Sequence, residues 1–391
     1  MTMNPANGNT HLPAAIGARI RAQRTAVGMK VSRLASLLGV TRNTIANYET
    51  GKTEPSGTDL LKIAEAIGCS VMELLTGEST APAPRFAFRA HRVLRQNPDI
   101  TVVARKFLRA YSEIEEITET RLTPKIEQFS VDPEDPDLDR RIENTARATR
   151  RACKISEAGP ERIVSVLEDL GVRSLFFRWS GKGKIDGLSV VHGDLKLVML
   201  NEHPSVTAER IIFSAAHELG HLVMHPELFT QQPENTENER NCENEAQRFA
   251  GCLLVPSEEL QHLWQAERLD HLPLEHALLI LKRVFRVSIW CLYQRTLQMR
   301  LTDMKHPLLI DRVKRLMGVR GKAKMEDLEP EPLRREALQR STRFERLVRS
   351  AFIQEKIGVA KVAEMFQITV DEAKVCTARW LRPSNEDGSL N

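Results

Sequence analysis

The sequence contains no long hydrophobic run. Its apolar stretches, such as residues 197–200 and 277–281, fall far short of the roughly 18 residues that span a bilayer. The opening MTMNPANGNTHLPAA lacks the basic start and apolar core of a secretory signal. Together these absences predict a cytoplasmic protein with no membrane partner. The six cysteines, Cys69, Cys153, Cys242, Cys252, Cys291 and Cys376, include no CxxC pair. That argues against a disulfide framework or a cysteine zinc site, and for reduced, mostly buried thiols. A strong charge of either sign is missing, at +4 over 391 residues, and no repeat of fixed period occurs. What is present is an ordinary globular composition, 41% hydrophobic and 28% charged, long enough for two or three domains of about 150 residues.

The charge is unevenly spread. Residues 85–109 hold seven Arg or Lys against one acid, Asp99, just after the Pro/Ala-rich ESTAPAPR. The predicted organisation is a flexible tail at 1–14, a helical module at 15–77, a basic linker at 78–105, a central domain at 106–300 and a helical C-terminal region at 301–391. Short Val-, Leu- and Phe-rich runs at 172–177, 188–191 and 195–200 suit a small antiparallel sheet within the central domain. The predicted fold is therefore mainly α with a small α+β domain.

In the first module, Gly39 separates two short helical segments whose Leu34, Ala35, Leu38 and Ile45 can pack together. The outward positions of the second segment, Arg42, Asn43 and Asn47, are residue types suited to guanine and adenine edges. Thr41, Lys30 and Lys52 are available for phosphates. The run GVTRNTIANYETGKTEPS followed by DLLKIAEAIGCSVMELL resembles the Xre/Cro-type DNA-binding domain. The resemblance implies that residues 41–48 are the recognition helix, with a double-stranded operator and a homodimer as partners. Val31 departs from the pattern, because the family usually has a polar residue there that touches the DNA backbone.

The sharpest chemical signal is His217-Glu218-Leu219-Gly220-His221. Residues four apart lie on one helix face about 6 Å along the axis, so both imidazoles can address one ion while Glu218 reaches its bound water. Ile212, Ala216, Leu219 and Val223 supply a buried stripe for a helix over 208–225. A zinc site of this kind takes three protein ligands, yet the extended HExxHxxGxxH pattern is absent, since Glu227 stands where its third histidine would be. The third ligand is expected from the next helix, at 242–255. There Glu245 shares a face with Phe249 and Cys252 and is preferred; Glu243, about 200° round the helix, and Cys242 are the alternatives. His225 and Arg248 are local candidates for an oxyanion donor.

The run from ERIVSVLEDLGV through DGLSVV to AAHELGHLVMH, followed by ENEAQRFAGCLLVP, is similar to the ImmA/IrrE family of zinc metallopeptidases. The resemblance implies a zincin-like domain with His217, His221 and Glu245 on Zn2+ and Glu218 as general base; the same ligands accept Mn2+. It also implies that the chain cleaves a repressor or other regulatory protein in a stress or mobile-element response. Asp186-Gly187 resembles a family turn near the cleft. A rival reading is a transcription factor that keeps the peptidase fold as a ligand- or partner-sensing module, and a third is an antitoxin-like module. The segment 357–380 has a second helix–turn–helix outline without a turn glycine, for which packing or substrate docking is expected.

Overall fold

The computed structural model describes residues 11–77, 85–86, 97–126, 136–155, 159–179, 185–229, 236–323, 327–338 and 341–381. The chain divides into two compact units. The first comprises residues 1–84, 91–121 and 347–391, and the second 85–90 and 122–346.

The first unit opens with α1 (His11–Ala26), α2 (Val31–Leu38), α3 (Arg42–Glu49), α4 (Gly57–Ile67) and α5 (Val71–Thr76). Ile16, Ile20, Leu34, Ile45, Ile63, Ile67 and Leu74 are fully buried among them. Each such side chain contributes roughly 1.5–3 kcal/mol of burial. Gly39 ends α2 at φ 72°, the left-handed conformation a side chain resists, and the chain turns there into α3. The Thr41 hydroxyl caps α3 by accepting from the Thr44 N–H. Arg24 reaches Glu49 through two guanidinium nitrogens and ties α1 to α3.

Helix α1 already begins at His11, so the predicted tail is helical in its last residues; residues 1–10 lie outside the described residues. Residues 98–117, expected to divide between linker and central domain, form one helix, α6 (Pro98–Ile117), which folds with the first unit. Most of the rest of the predicted linker, 78–84 and 87–96, lies outside the described residues.

The second unit contains α7 (Leu138–Cys153), α8 (Ile163–Asp169) and strands β1 (Arg85–Phe86), β2 (Arg173–Phe177), β3 (Gly187–His192) and β4 (Leu195–Asn201). Helices α9 (Ala208–Met224), α10 (Thr236–Leu254), α11 (Ser257–Ala266), α12 (Leu274–Phe285), α13 (Ile289–Gln298) and α14 (His306–Leu316) follow. Helix α15 (Arg343–Ile353) follows, and α16 (Val359–Phe366) and α17 (Val370–Trp380) fold with the first unit. Among the described residues, no helix is long and apolar enough to cross a membrane.

The sheet order is β1-β3-β4-β2. β3 pairs antiparallel with β1 and β4, but β2 runs parallel to β4, with Ser174 opposite Val198. The all-antiparallel expectation is corrected to a mixed sheet. Local pattern predicts strands, whereas the direction of a pairing depends on how the chain crosses between them. Asn201 holds the described ends of the β2–β3 connection: its amide donates to the Trp179 and Ile185 carbonyls, and its oxygen accepts from the Trp179 and His203 amides.

Helix α9 lies on the sheet, and its first turn is anchored by Glu209, which meets the buried Lys282 at 2.8 Å and the Leu333 N–H at 2.7 Å. The expected stripe Ile212, Ala216, Leu219 and Val223 is at most 2% exposed. α10 packs on α9 where small residues allow close approach. A Cβ at Gly220 would lie 2.9 Å from the Phe249 ring and 3.3 Å from the Ala246 Cα. Beneath α10, Arg295 on α13 holds the Val255 carbonyl, Ser257, Gln298 and Glu143.

Candidate metal centre and nucleic-acid face

The α9–α10 contact fixes which side chains converge. His217 Nε2 and His221 Nε2 stand 3.1 Å apart, and the Glu243 carboxylate faces both, at 3.5 Å and 3.4 Å. One donor atom from each of the three lies within 4.8 Å of the others, and both imidazoles are buried. Two imidazoles and a carboxylate, gathered where water is largely excluded, are a donor set that fits zinc. Burial raises the Glu243 carboxyl, but its contacts with His217 and then His221 outweigh burial and hold it well below the usual carboxylate range. Burial pushes His221 down, which favours the neutral form that ligates.

The preference for Glu245 is corrected by this geometry. Glu245 points instead at His225, whose Nε2 is 3.0 Å from Oε2. Ala246 sits against Gly220 at the helix contact, so residues 243 and 245 fall on opposite flanks of it. Apolar neighbours such as Phe249 and Cys252 say which face is buried, not which flank meets the histidines. Cys242, the other alternative, is outside the group, and its thiol is pushed up to about 12 by burial, then by Glu245.

Glu218 is 6% exposed and accepts from the Ser189 hydroxyl on β3 at 2.7 Å. A Cβ at Gly187 would lie 3.3 Å from Glu218 Cγ, so the Asp186-Gly187 turn does approach the site. Asp186 itself pairs with Arg210 at 2.6 Å. Ser189 was not foreseen, because only the pairing of β3 brings it to α9. Of the two oxyanion candidates, His225 is turned toward Glu245, and Arg248 forms an exposed pair with Asp139. His225 also places its Nδ1 3.3 Å from His221 Nδ1.

In the first unit, Arg42, Asn43, Thr41, Lys30 and Lys52 are exposed and Asn47 is half-buried, all on or beside α2 and α3. The Thr41 hydroxyl is engaged with Thr44 as a cap. Helices α16 and α17, in the same unit, repeat this layout. Gln367, at φ 55°, stands where Gly39 does, and Thr369 caps α17 as Thr41 caps α3. The outward positions of α17 differ in chemistry: Val370 is 47% and Val375 56% exposed, beside Asp371 and Glu372. Lys374 and Arg379 are exposed on the same helix, so its surface carries both signs of charge.

Comparison with known families gives two matches. Residues 20–74 match the helix-turn-helix family model, and residues 167–296 match that of the IrrE N-terminal-like domain, a peptidase family. The chain is 37% identical over 70 residues to repressor protein C2 of Salmonella phage P22, covering 18% of this chain and 31% of that protein. It is 39% identical over 61 residues to an uncharacterized SPbeta prophage-derived HTH-type transcriptional regulator of Bacillus subtilis (strain 168), covering 16% and 56%. The chain thus spans about a third and just over half of these two relatives. It joins an Xre-like helix-turn-helix domain to a domain of the IrrE N-terminal-like peptidase family.

Proposed function

We propose that the chain is a cytoplasmic DNA-binding regulator whose IrrE-like domain is a zinc endopeptidase that cleaves a repressor or other regulatory protein. The observation that carries this reading is the convergence of His217, His221 and Glu243 beside Glu218. His217 Nε2, His221 Nε2 and the Glu243 carboxylate would hold the ion, with Zn2+ favoured and Mn2+ accepted by the same donors. When bound, the metal supplies Lewis acidity toward a peptide carbonyl and a lowered pKa for water. Glu218 takes the proton from the attacking water and delivers it to the leaving amine as the C–N bond breaks. Ser189 holds the Glu218 carboxylate by its Oε2 while that proton moves. Glu245 and His225 orient His221 from behind.

Arg42, Asn43 and Asn47 read base edges of a double-stranded operator, with Thr41, Lys30 and Lys52 at phosphates and the chain acting as a homodimer. Joining this function to a peptidase raises the local concentration of substrate bound at the same promoter.

The test compares newly formed protein N-termini in cells carrying wild type or Glu218→Gln, before and after DNA damage. A fragment seen only with wild type supports the peptidase and names its substrate. Equal fragment sets, with metal in both proteins, favour the sensing module instead.

A further inference from the structure

Strand β3 lines the candidate site: Gly187 lies against Glu218, and Ser189 hydrogen-bonds it. One edge of β3 is paired with β4. The other edge is taken by β1, two residues from the segment that follows the helix-turn-helix module in sequence. Arg85 stands opposite Val191 and Phe86 opposite Val190, antiparallel, and β1 also lies against the turn Pro226–Phe229 after α9. An antiparallel occupant that continues in this register past Val190 comes next to Ser189, and so to the general base. An unpaired strand edge offers alternating N–H and C=O groups to any extended polypeptide.

We infer that the β3 edge is the docking strand for an extended polypeptide, and that the chain's own Arg85–Phe86 segment occupies it in competition with substrate. The peptidase is self-shielded, and cleavage requires β1 to leave β3. This deepens the proposed peptidase reading and rests on it for its regulatory meaning, although the edge pairing stands by itself. With the edge open only about a tenth of the time, apparent affinity for an outside strand falls about tenfold.

The experiment uses the full-length chain carrying Glu218→Gln, so that nothing is cleaved, and a fluorescent peptide with the sequence of residues 82–90, PAPRFAFRA. Anisotropy is compared for the native linker and for Arg85→Pro/Phe86→Pro, which removes two N–H donors from β1. A further variant, Phe86→Cys/Val190→Cys, exploits the directly opposed register, because cross-strand Cα separations of about 4.5–5.5 Å suit a disulfide. The expected result is a rapid crosslink under mild oxidant, no peptide binding when locked, native-like binding when reduced, and at least about tenfold tighter binding by the proline variant. A crosslink that does not form, or equal peptide affinity in the locked and reduced forms, overturns the inference even if the proline variant fails to fold. Wild-type fragments in cells with no effect of β1 on peptide binding would leave the peptidase standing and remove the self-shielding. The reverse pattern would do the opposite.

Discussion

Glu245 Oε2 accepts a hydrogen bond from His225 Nε2 at 3.0 Å, and both side chains are at most 3% exposed. With Nε2–H turned to Glu245, His225 Nδ1 is left as an acceptor for the Nδ1–H of His221, 3.3 Å away. Such an order would leave a lone pair on His221 Nε2 for a metal that takes the place of its contact with the Glu243 carboxylate. On the proposed reading, the residue first expected on the metal instead sets the tautomer of a proposed ligand.

This relay makes its own prediction. His225→Phe and Glu245→Gln should weaken zinc affinity by about 10- to 100-fold with the helical signal intact. Glu243→Ala, which removes a donor, should weaken it more. Competition with a chromophoric chelator measures all three, and an unchanged affinity in His225→Phe would remove the relay.

Ser189→Ala takes one hydrogen bond from the Glu218 carboxylate. Removing a bond worth about 1 kcal/mol should slow turnover about fivefold and leave zinc stoichiometry unchanged. Steady-state rates on the identified substrate, read beside metal analysis, separate this from a loss of metal.

Acid should weaken the second unit through Glu143. Burial raises its carboxyl, but Arg295 and the bonds from Cys252 and Ser257 hold it below the ordinary value. A depressed folded-state pKa contributes stability above the unfolded value of about 4.3, and that contribution is lost as pH falls through the folded value. Glu143→Gln should therefore cost about 1–2 kcal/mol at pH 7 and progressively less toward pH 3. Denaturant titrations at both pH values measure the difference.

Arg42→Ala should cost about 1–3 kcal/mol on an operator selected from random duplexes and relax its sequence preference. Lys52→Ala should weaken all duplexes alike and reduce the salt slope by about 1. Val375→Ala, on the outward face of α17, should change neither.

Much of this was legible in the sequence. The histidine-bearing helix was readable because its apolar stripe has helical period, and the first helix–turn–helix because Gly39 marks its turn. The second outline, at 357–380, was readable from its helical spacing even though Gln367 rather than a glycine takes the left-handed turn. The choice between Glu243 and Glu245 turned on the seating of Ala246 against Gly220, a contact between helices that no single periodicity encodes. Ser189 and the two-residue β1 depend on sheet pairing between distant segments, and the parallel run of β2 on β4 does likewise.

The central claim is that His217, His221 and Glu243 form the metal site. A crystal of the zinc-loaded chain, measured on both sides of the zinc absorption edge, tests it most directly. The account predicts one anomalous peak bonded to His217 Nε2, His221 Nε2 and Glu243 at about 2.0–2.2 Å, with Glu245 still on His225. A peak bonded to Glu245, or none between the two histidines, would contradict it.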